Sequence, residues 1–67
     1  MTSAYKIVEI IGTSEKSWED AAKSGIDIAA KSLKELRVAE VKEMDINIEG
    51  GKMIYRVKLK LSFKYTD

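Results

Sequence analysis

Residues 53–65, MIYRVKLKLSFKY, have the most regular pattern in the chain. Apolar side chains occupy every second position, at Met53, Tyr55, Val57, Leu59, Leu61, Phe63 and Tyr65. Between them lie Ile54, Arg56, Lys58, Lys60, Ser62 and Lys64. Alternation with a period of two predicts a β-strand that buries one face. At about 3.3 Å per residue, an apolar face of this length extends over roughly 40 Å.

A second strand is predicted immediately before this one, at residues 38–48. Gly50-Gly51 separates the two segments, which is a strong signal for a two-residue hairpin turn. The apolar parity changes within the second segment, because Val41 lies on one parity and Met44, Ile46 and Ile48 on the other. Such a change of phase predicts either a β-bulge or a strand that passes from one packing environment to another.

A helix is predicted over residues 17–36. Ser17 followed by Asp20 resembles a capping box, and Ser14 is a rival N-cap. The residues of one helical stripe are Trp18, Ala22, Gly25, Ile26, Ala29, Leu33 and Leu36. Glycine costs roughly 1 kcal/mol relative to alanine in a helix interior, so Gly25 predicts close packing against a sheet.

The segment before the helix, residues 6–12 (KIVEIIG), predicts a first strand that ends at glycine. Because apolar residues are consecutive at Ile7-Val8 and Ile10-Ile11, we expect both faces to be covered, with another subunit as a candidate cover for one. The order is β-α-β-β, an α+β class. The pattern does not decide whether the first strand lies parallel beside the second or antiparallel beside the third.

Length and composition limit the possible functions. The 67 residues predict a single domain, 1–67, with a marginal core that oligomerisation or a hard cation would stabilise. The absence of Cys and His excludes disulfides, Cys/His zinc sites and Ser/His catalysis, and no other feature suggests an enzyme. The net charge of +1 argues against nucleic acid as a partner. With no long apolar run and no signal peptide, we expect no membrane partner and a cytoplasmic location.

The candidate ion ligands are carboxylates. Glu43 and Asp45 share one strand face, and Glu15 lies beside the helix start. Calcium takes six to eight oxygens, so one strand cannot complete a site, although copies related by symmetry could. The alternative is a solvated face paired with the lysines of the last strand. Trp18 is interpreted as a core or subunit-contact anchor.

Four stretches together resemble the dodecin family. They are residues 5–14 (YKIVEIIGTS), 17–21 (SWEDA), 37–41 (RVAEV) and 55–64 (YRVKLKLSFK). The resemblance implies a three-stranded antiparallel sheet wrapped around one helix, which favours the antiparallel alternative. It also implies a hollow homododecamer with channels on the three-fold axes. Flavin-binding dodecins stack isoalloxazine rings between tryptophans and store flavins without turning them over.

The sequence departs from that pattern at the positions equivalent to the flavin site. Val38 stands where flavin dodecins have the stacking tryptophan, and Arg56 where they have a glutamine. Valine offers no ring, and arginine offers only hydrogen-bond donors. The stretches around Val38 and Trp18 look like the calcium dodecin branch of the family, which is described as binding calcium in place of flavin.

We therefore expect a storage or buffering protein that forms a dodecameric shell and binds calcium or another divalent cation, and not flavin. Three alternatives stay open. They are a flavin dodecin with a degenerate site, an anion or nucleotide binder that uses Arg37 and Arg56, and a purely structural shell.

Overall fold

The computed structural model describes residues 2–65, which form three strands and one helix. Strand β1 is Ala4–Ser14, helix α1 is Trp18–Ala30, strand β2 is Leu36–Glu49 and strand β3 is Lys52–Tyr65. The sheet order is β1-β3-β2, and both pairs are antiparallel. The β-α-β-β order and the α+β class are thus confirmed, with the first strand beside the third. Strand β1 extends two residues beyond its predicted bounds at each end, β2 extends two residues at its start and one at its end, and β3 begins one residue earlier than predicted.

The core lies between α1 and the middle of β3. Val57, Leu59 and Leu61 are each 1% exposed, and Ala21 of the helix is fully buried. Val8 and Ile10 of β1 pack against this cluster, together with the helical residues Ala22, Ile26 and Ala29. The alternation in β3 therefore predicted the buried face correctly, although Met53 and Tyr65 at its ends remain about half exposed.

Gly12 and Gly25 let β1 and α1 approach each other closely. A methyl group built at Gly25 would lie 3.1 Å from the Cα of Gly12, and one built at Gly12 would collide with the carbonyl oxygen of Ala21. Both glycines are buried. The packing reason predicted for Gly25 is confirmed, and Gly12 is the partner in that contact.

The N-cap of α1 is Ser17, as predicted. Its hydroxyl oxygen accepts a hydrogen bond of 3.0 Å from the backbone N–H of Asp20. Ser14, the rival, does not cap the helix; its hydroxyl donates to the Asp20 carboxylate over 2.6 Å.

The predicted helix end at Leu36 is wrong, because α1 ends at Ala30. The next backbone N–H groups bond back to Ile28 and Ala29, partly with tighter i→i+3 geometry. Glu35 then adopts a left-handed conformation with φ 57°, and Leu36 starts β2 opposite Phe63. Leu36 is half-buried next to the core. Its apolar side chain therefore fits the spacing of the predicted helical stripe, although the residue lies in a strand.

Two irregularities interrupt the β2–β3 ladder. The register shifts between Leu36 and Val38 and again between Val41 and Glu43, and the second shift is the predicted bulge. The hairpin at Gly50-Gly51 is also confirmed, with φ values of 51° and 82°. Positive φ at both central residues is what a type I′ turn requires, and glycine accepts it without strain.

The helix leaves much of the sheet uncovered in the single chain. On β2 the helix-side residues Val41, Met44, Ile46 and Ile48 are 37–71% exposed, and we call them the β2 apolar strip. On β1 the helix side is packed, whereas Ile7 and Ile11 on the opposite face are each 55% exposed. Cover on both faces of β1 therefore stays a prediction about the assembly. No helix within residues 2–65 is long and apolar enough to cross a membrane.

Candidate functional site

The sheet face opposite α1, here called the outer face, carries the predicted ion ligands. Successive side chains of a strand point to opposite faces, so the even-numbered residues of β3 lie on this face, away from Val57 and Leu59. In the register, Glu43 lies opposite Lys58 and Asp45 opposite Arg56. The outer face thus sets an acidic strand beside a basic one.

Asp45 and Arg56 form a two-pronged ion pair across β2 and β3. Arg56 Nε donates to Asp45 Oδ1 over 2.6 Å, and Nη2 donates to Oδ2 over 2.8 Å. The hydrogen bonds from Arg56 lower the pKa of Asp45 below its ordinary value of 3.8, and the same contact raises the pKa of Arg56. Because both side chains are about half exposed, water screens the pair, and its main effect is to fix the guanidinium in place.

Glu43 lies in a shallow cavity of about 130 Å³ beside this ion pair. The cavity is lined by Ile11, Glu43, Asp45, Arg56 and Lys58. Within residues 2–65, Glu43 takes part in no ion pair, and no three carboxylates cluster closely enough to hold a metal ion. The fold brings Glu43 and Asp45 together, whereas Glu15 lies in the turn before α1 and does not line the cavity.

Trp18 joins the start of the helix to the same region. Its indole Nε1 donates a 3.2 Å hydrogen bond to the backbone carbonyl oxygen of Asp45. Its ring contacts Tyr55 edge-on, with centroids 5.2 Å apart and planes at 81°. Trp18 is 37% exposed, so it is an anchor at the edge of the core and not a buried core residue. The sequence pattern gave no signal for this bond, because it depends on the register of β2.

The two positions that the family resemblance equates with the flavin site are separated within one chain. Val38 lies opposite Ser62, six residues along β3 from Arg56, which corresponds to roughly 20 Å of strand. Val38 is 60% exposed and lines an apolar cavity with Ile26, Leu36 and Leu61. A site that uses both Val38 and Arg56 would need two chains.

Both guanidinium groups proposed for anion binding already face carboxylates. Arg56 is held by Asp45, and Arg37 Nη2 lies 3.3 Å from Glu35 Oε1. A phosphate would have to compete with these partners, which weakens the case for either arginine as an anion ligand.

Comparisons with known proteins agree with this architecture. The Dodecin family model matches residues 4–66. The chain is 48% identical over 63 residues to calcium dodecin of Mycobacterium tuberculosis, covering 92% of this chain and 89% of that one. It is 40% identical over 65 residues to dodecin of Thermus thermophilus, covering 96% and 94%.

Solved structures extend the likeness to the fold. The crystal structure of the M. tuberculosis calcium dodecin, described as calcium chelating with a novel calcium-binding site, matches with a TM-score of 0.88 and 46% identity over 96% of this chain and 93% of that one. Dodecin from Streptomyces davaonensis matches with a TM-score of 0.92 and 26% identity over the full length of both chains. The chain belongs to the dodecin family.

Proposed function

We propose that this protein is a ligand-binding shell of twelve copies that stores or buffers a divalent cation, calcium by preference, and that it is neither a flavin carrier nor an enzyme. The observation that carries the proposal is the 48% identity, over nearly the whole chain, to a relative named calcium dodecin. Residues 1–67 act as one domain in this assembly, in the cytoplasm.

The exposed apolar surface supports assembly. The β2 apolar strip and the outer isoleucines of β1 leave large side chains in water, while only Ala21, Val57, Leu59 and Leu61 form the fully buried core within residues 2–65. Burial of apolar surface contributes about 25 cal/mol per Å², so contacts between copies would add stability that one chain lacks. Twelve copies are the number that the family resemblance implies.

The charges on the outer face support a cation site shared between copies. Glu43 is the first candidate ligand, because no cation within residues 2–65 is paired with its carboxylate. Asp45 is second, because Arg56 already occupies both of its oxygens, and Glu15 is third. Carboxylates that meet on a symmetry axis repel one another, and a hard cation with oxygen ligands relieves that repulsion.

The flavin positions support exclusion of flavin. Val38 has no ring for stacking, and loss of an aromatic platform forfeits roughly 1–3 kcal/mol per stacked ring, by analogy with bases. Arg56 cannot turn freely toward a ligand, because Asp45 holds it through two hydrogen bonds.

Isothermal titration calorimetry with calcium on EDTA-stripped protein tests the cation proposal. We expect the wild type to give binding heat. Glu43→Gln should bind calcium at least tenfold more weakly, since one negative ligand would be lost from every copy at the site. Glu49→Gln, on the same strand and face near the hairpin, is the matched control and should bind as the wild type does. No binding heat in the wild type would leave the purely structural shell as the function.

A further inference from the structure

Arg56 occupies the same carboxylate oxygens that a cation bound at Asp45 would use. Its Nε and Nη2 atoms donate to Asp45 Oδ1 and Oδ2 over 2.6 Å and 2.8 Å. A two-pronged arginine of this kind takes up the direction in which both oxygens of a carboxylate face one partner. The guanidinium and a divalent cation chelated by both oxygens of Asp45 therefore exclude each other.

The first candidate ligand, Glu43, lies in the same cavity as this ion pair. Glu43, Asp45 and Arg56 line one cavity of about 130 Å³. A guanidinium keeps its proton at any physiological pH, so it is a permanent positive charge beside both carboxylates. Arg56 therefore opposes a second cation at Asp45 through direct contact and at Glu43 through repulsion.

An exchange of the guanidinium for a cation needs only side-chain rotation. The backbone of Asp45 is fixed, because its carbonyl oxygen accepts the 3.2 Å hydrogen bond from Trp18 Nε1 and the residue lies in the β2–β3 ladder. The side chains of Arg56 and Asp45 are 41% and 55% exposed, so both can rotate into water. The strand geometry of the site stays the same in both states.

We propose that Arg56 is a built-in counter-cation of the cation site, which neutralises Asp45 when no divalent cation is bound and which calcium must displace in order to bind there. This role of Arg56 rests on the proposed function, since it concerns the cation site at Glu43 and Asp45. Arg56 then lowers the calcium affinity, and it also relieves the repulsion between carboxylates in the metal-free shell. A cation that binds only the assembled state stabilises that state, so a shell without Arg56 depends more on calcium.

Calorimetric titration of metal-free wild type and Arg56→Gln with calcium tests this role. We expect Arg56→Gln to bind calcium about fivefold more tightly, because a half-exposed ion pair that must be broken weakens binding by roughly this factor. A purely structural role for Arg56 would give the opposite sign. Lys60→Gln is the matched control, since it removes the same charge from the same face of β3 outside the cavity, and it should bind as the wild type does.

Asp45→Asn separates competition at the carboxylate from general repulsion. In that background Arg56 has no charged partner from which calcium must displace it. Adding Arg56→Gln should therefore raise the calcium affinity by less than about twofold at physiological ionic strength, where salt screens exposed charges. A gain as large as in the wild-type background would overturn the proposal, since repulsion alone would then account for it.

Melting temperatures of the assembled protein give a second measurement. In EDTA, Arg56→Gln should melt below the wild type, and calcium should raise its melting temperature by more than it raises that of the wild type. Arg56→Lys keeps the charge but cannot hold both oxygens of Asp45 in a planar fork. It should also bind calcium more tightly than the wild type, and it replaces Arg56→Gln if that variant does not fold.

The outcomes separate this role from the proposed function. Calcium binding by Arg56→Gln that is equal to or weaker than that of the wild type, in a variant with the wild-type circular dichroism spectrum and mass, would overturn the role of Arg56 and leave the cation function in place. Absence of calcium binding in both proteins would overturn both.

Discussion

The indole N–H of Trp18 and the backbone carbonyl of Asp45 form a hydrogen bond of 3.2 Å that ties the first residue of α1 to β2. The side chain of the same Asp45 holds Arg56 of β3 through two further hydrogen bonds. One residue of β2 therefore connects the helix start with both strands of the hairpin. Substitutions of Trp18 and of Asp45 should each lower the stability of the fold, and the two effects can be measured separately.

Trp18→Phe removes the N–H donor and keeps an aromatic ring next to Tyr55. We expect a loss of about 1 kcal/mol in the free energy of unfolding, the usual net contribution of one hydrogen bond. Trp18→Ala removes the ring contact as well and should cost more. Urea denaturation followed by circular dichroism measures both, and a Trp18→Phe variant as stable as the wild type would contradict the role of the bond.

Gly12 is the position least able to accept a side chain. Gly12→Ala would drive a methyl group into the carbonyl oxygen of Ala21, which is backbone and cannot rotate away, so α1 must separate from β1. We expect destabilisation of about 3 kcal/mol or more, at the upper end for overpacking.

Gly50→Ala is the matched control for the Gly12 substitution. Gly50 has φ 51° with no atom within 4 Å of an added Cβ, so only the left-handed backbone penalises alanine there, by roughly 1–2 kcal/mol. Thermal melting of both variants tests the comparison. Equal melting temperatures for the two would show that the β1–α1 contact is less tight than described.

The Asp45–Arg56 pair predicts a particular dependence of stability on pH. Because the pKa of Asp45 is lowered in the folded state, the unfolded chain binds more protons at that carboxyl as pH falls below its ordinary value of 3.8. The stability from this group is therefore fully present above about pH 4 and is lost as pH falls through the lowered pKa. Arg56, whose pKa is raised, stays protonated over this range.

Melting temperatures of the wild type and Asp45→Asn at pH 7, 4, 3 and 2.5 measure this effect. The wild type should melt higher at pH 7, and the difference should shrink below pH 4. A difference that stays constant down to pH 2.5 would mean that the carboxylate charge is not the source of the stability.

Sequence reasoning located the outer-face carboxylates but not their partners. The parity of β2 placed Glu43 and Asp45 on one face, and the change of phase after Val41 predicted the bulge that the register shows. Which base faces which acid depends on where that bulge falls, because one inserted residue moves every later pair. The ion pair of Asp45 with Arg56 therefore required the three-dimensional register.

The helix end shows a different limit of sequence patterns. Leu33 and Leu36 fit the spacing of the helical stripe although they lie after the helix. Apolar residues of loops and strands also pack against a core, so their spacing alone does not show that they are helical. The residue that turns the chain, Glu35, is neither glycine nor asparagine, so its positive φ carried no sequence signal. Tertiary contacts, including the bond from Lys64 to the Glu35 carbonyl, set this boundary.

Flavin binding should be weak, because Val38 cannot stack on a ring and Arg56 is engaged with Asp45. We expect riboflavin fluorescence to stay unquenched when the protein is titrated at sub-micromolar concentration. Val38→Trp with Arg56→Gln should restore part of the quenching, whereas Val38→Leu should not. Strong stoichiometric quenching by the wild type would show that the flavin positions are wrongly assigned.

Assembly should depend on the β2 apolar strip, whose four side chains stay 37–71% exposed in the part of the chain that the structure describes. Met44→Glu places a charge where we expect another copy to pack, and burying an unpaired charge costs far more than the lost apolar contact. Light scattering at micromolar concentration should give a mass near twelve chains for the wild type and for Met44→Leu, and a much smaller mass for Met44→Glu. Ile48→Glu, at the most exposed residue of the strip, should also give a much smaller mass. Agreement between the two glutamate variants would show that the loss of assembly does not come from a folding defect specific to Met44→Glu. A folded, monodisperse wild-type monomer, or an intact dodecamer in both glutamate variants, would show that the strip is not an interface.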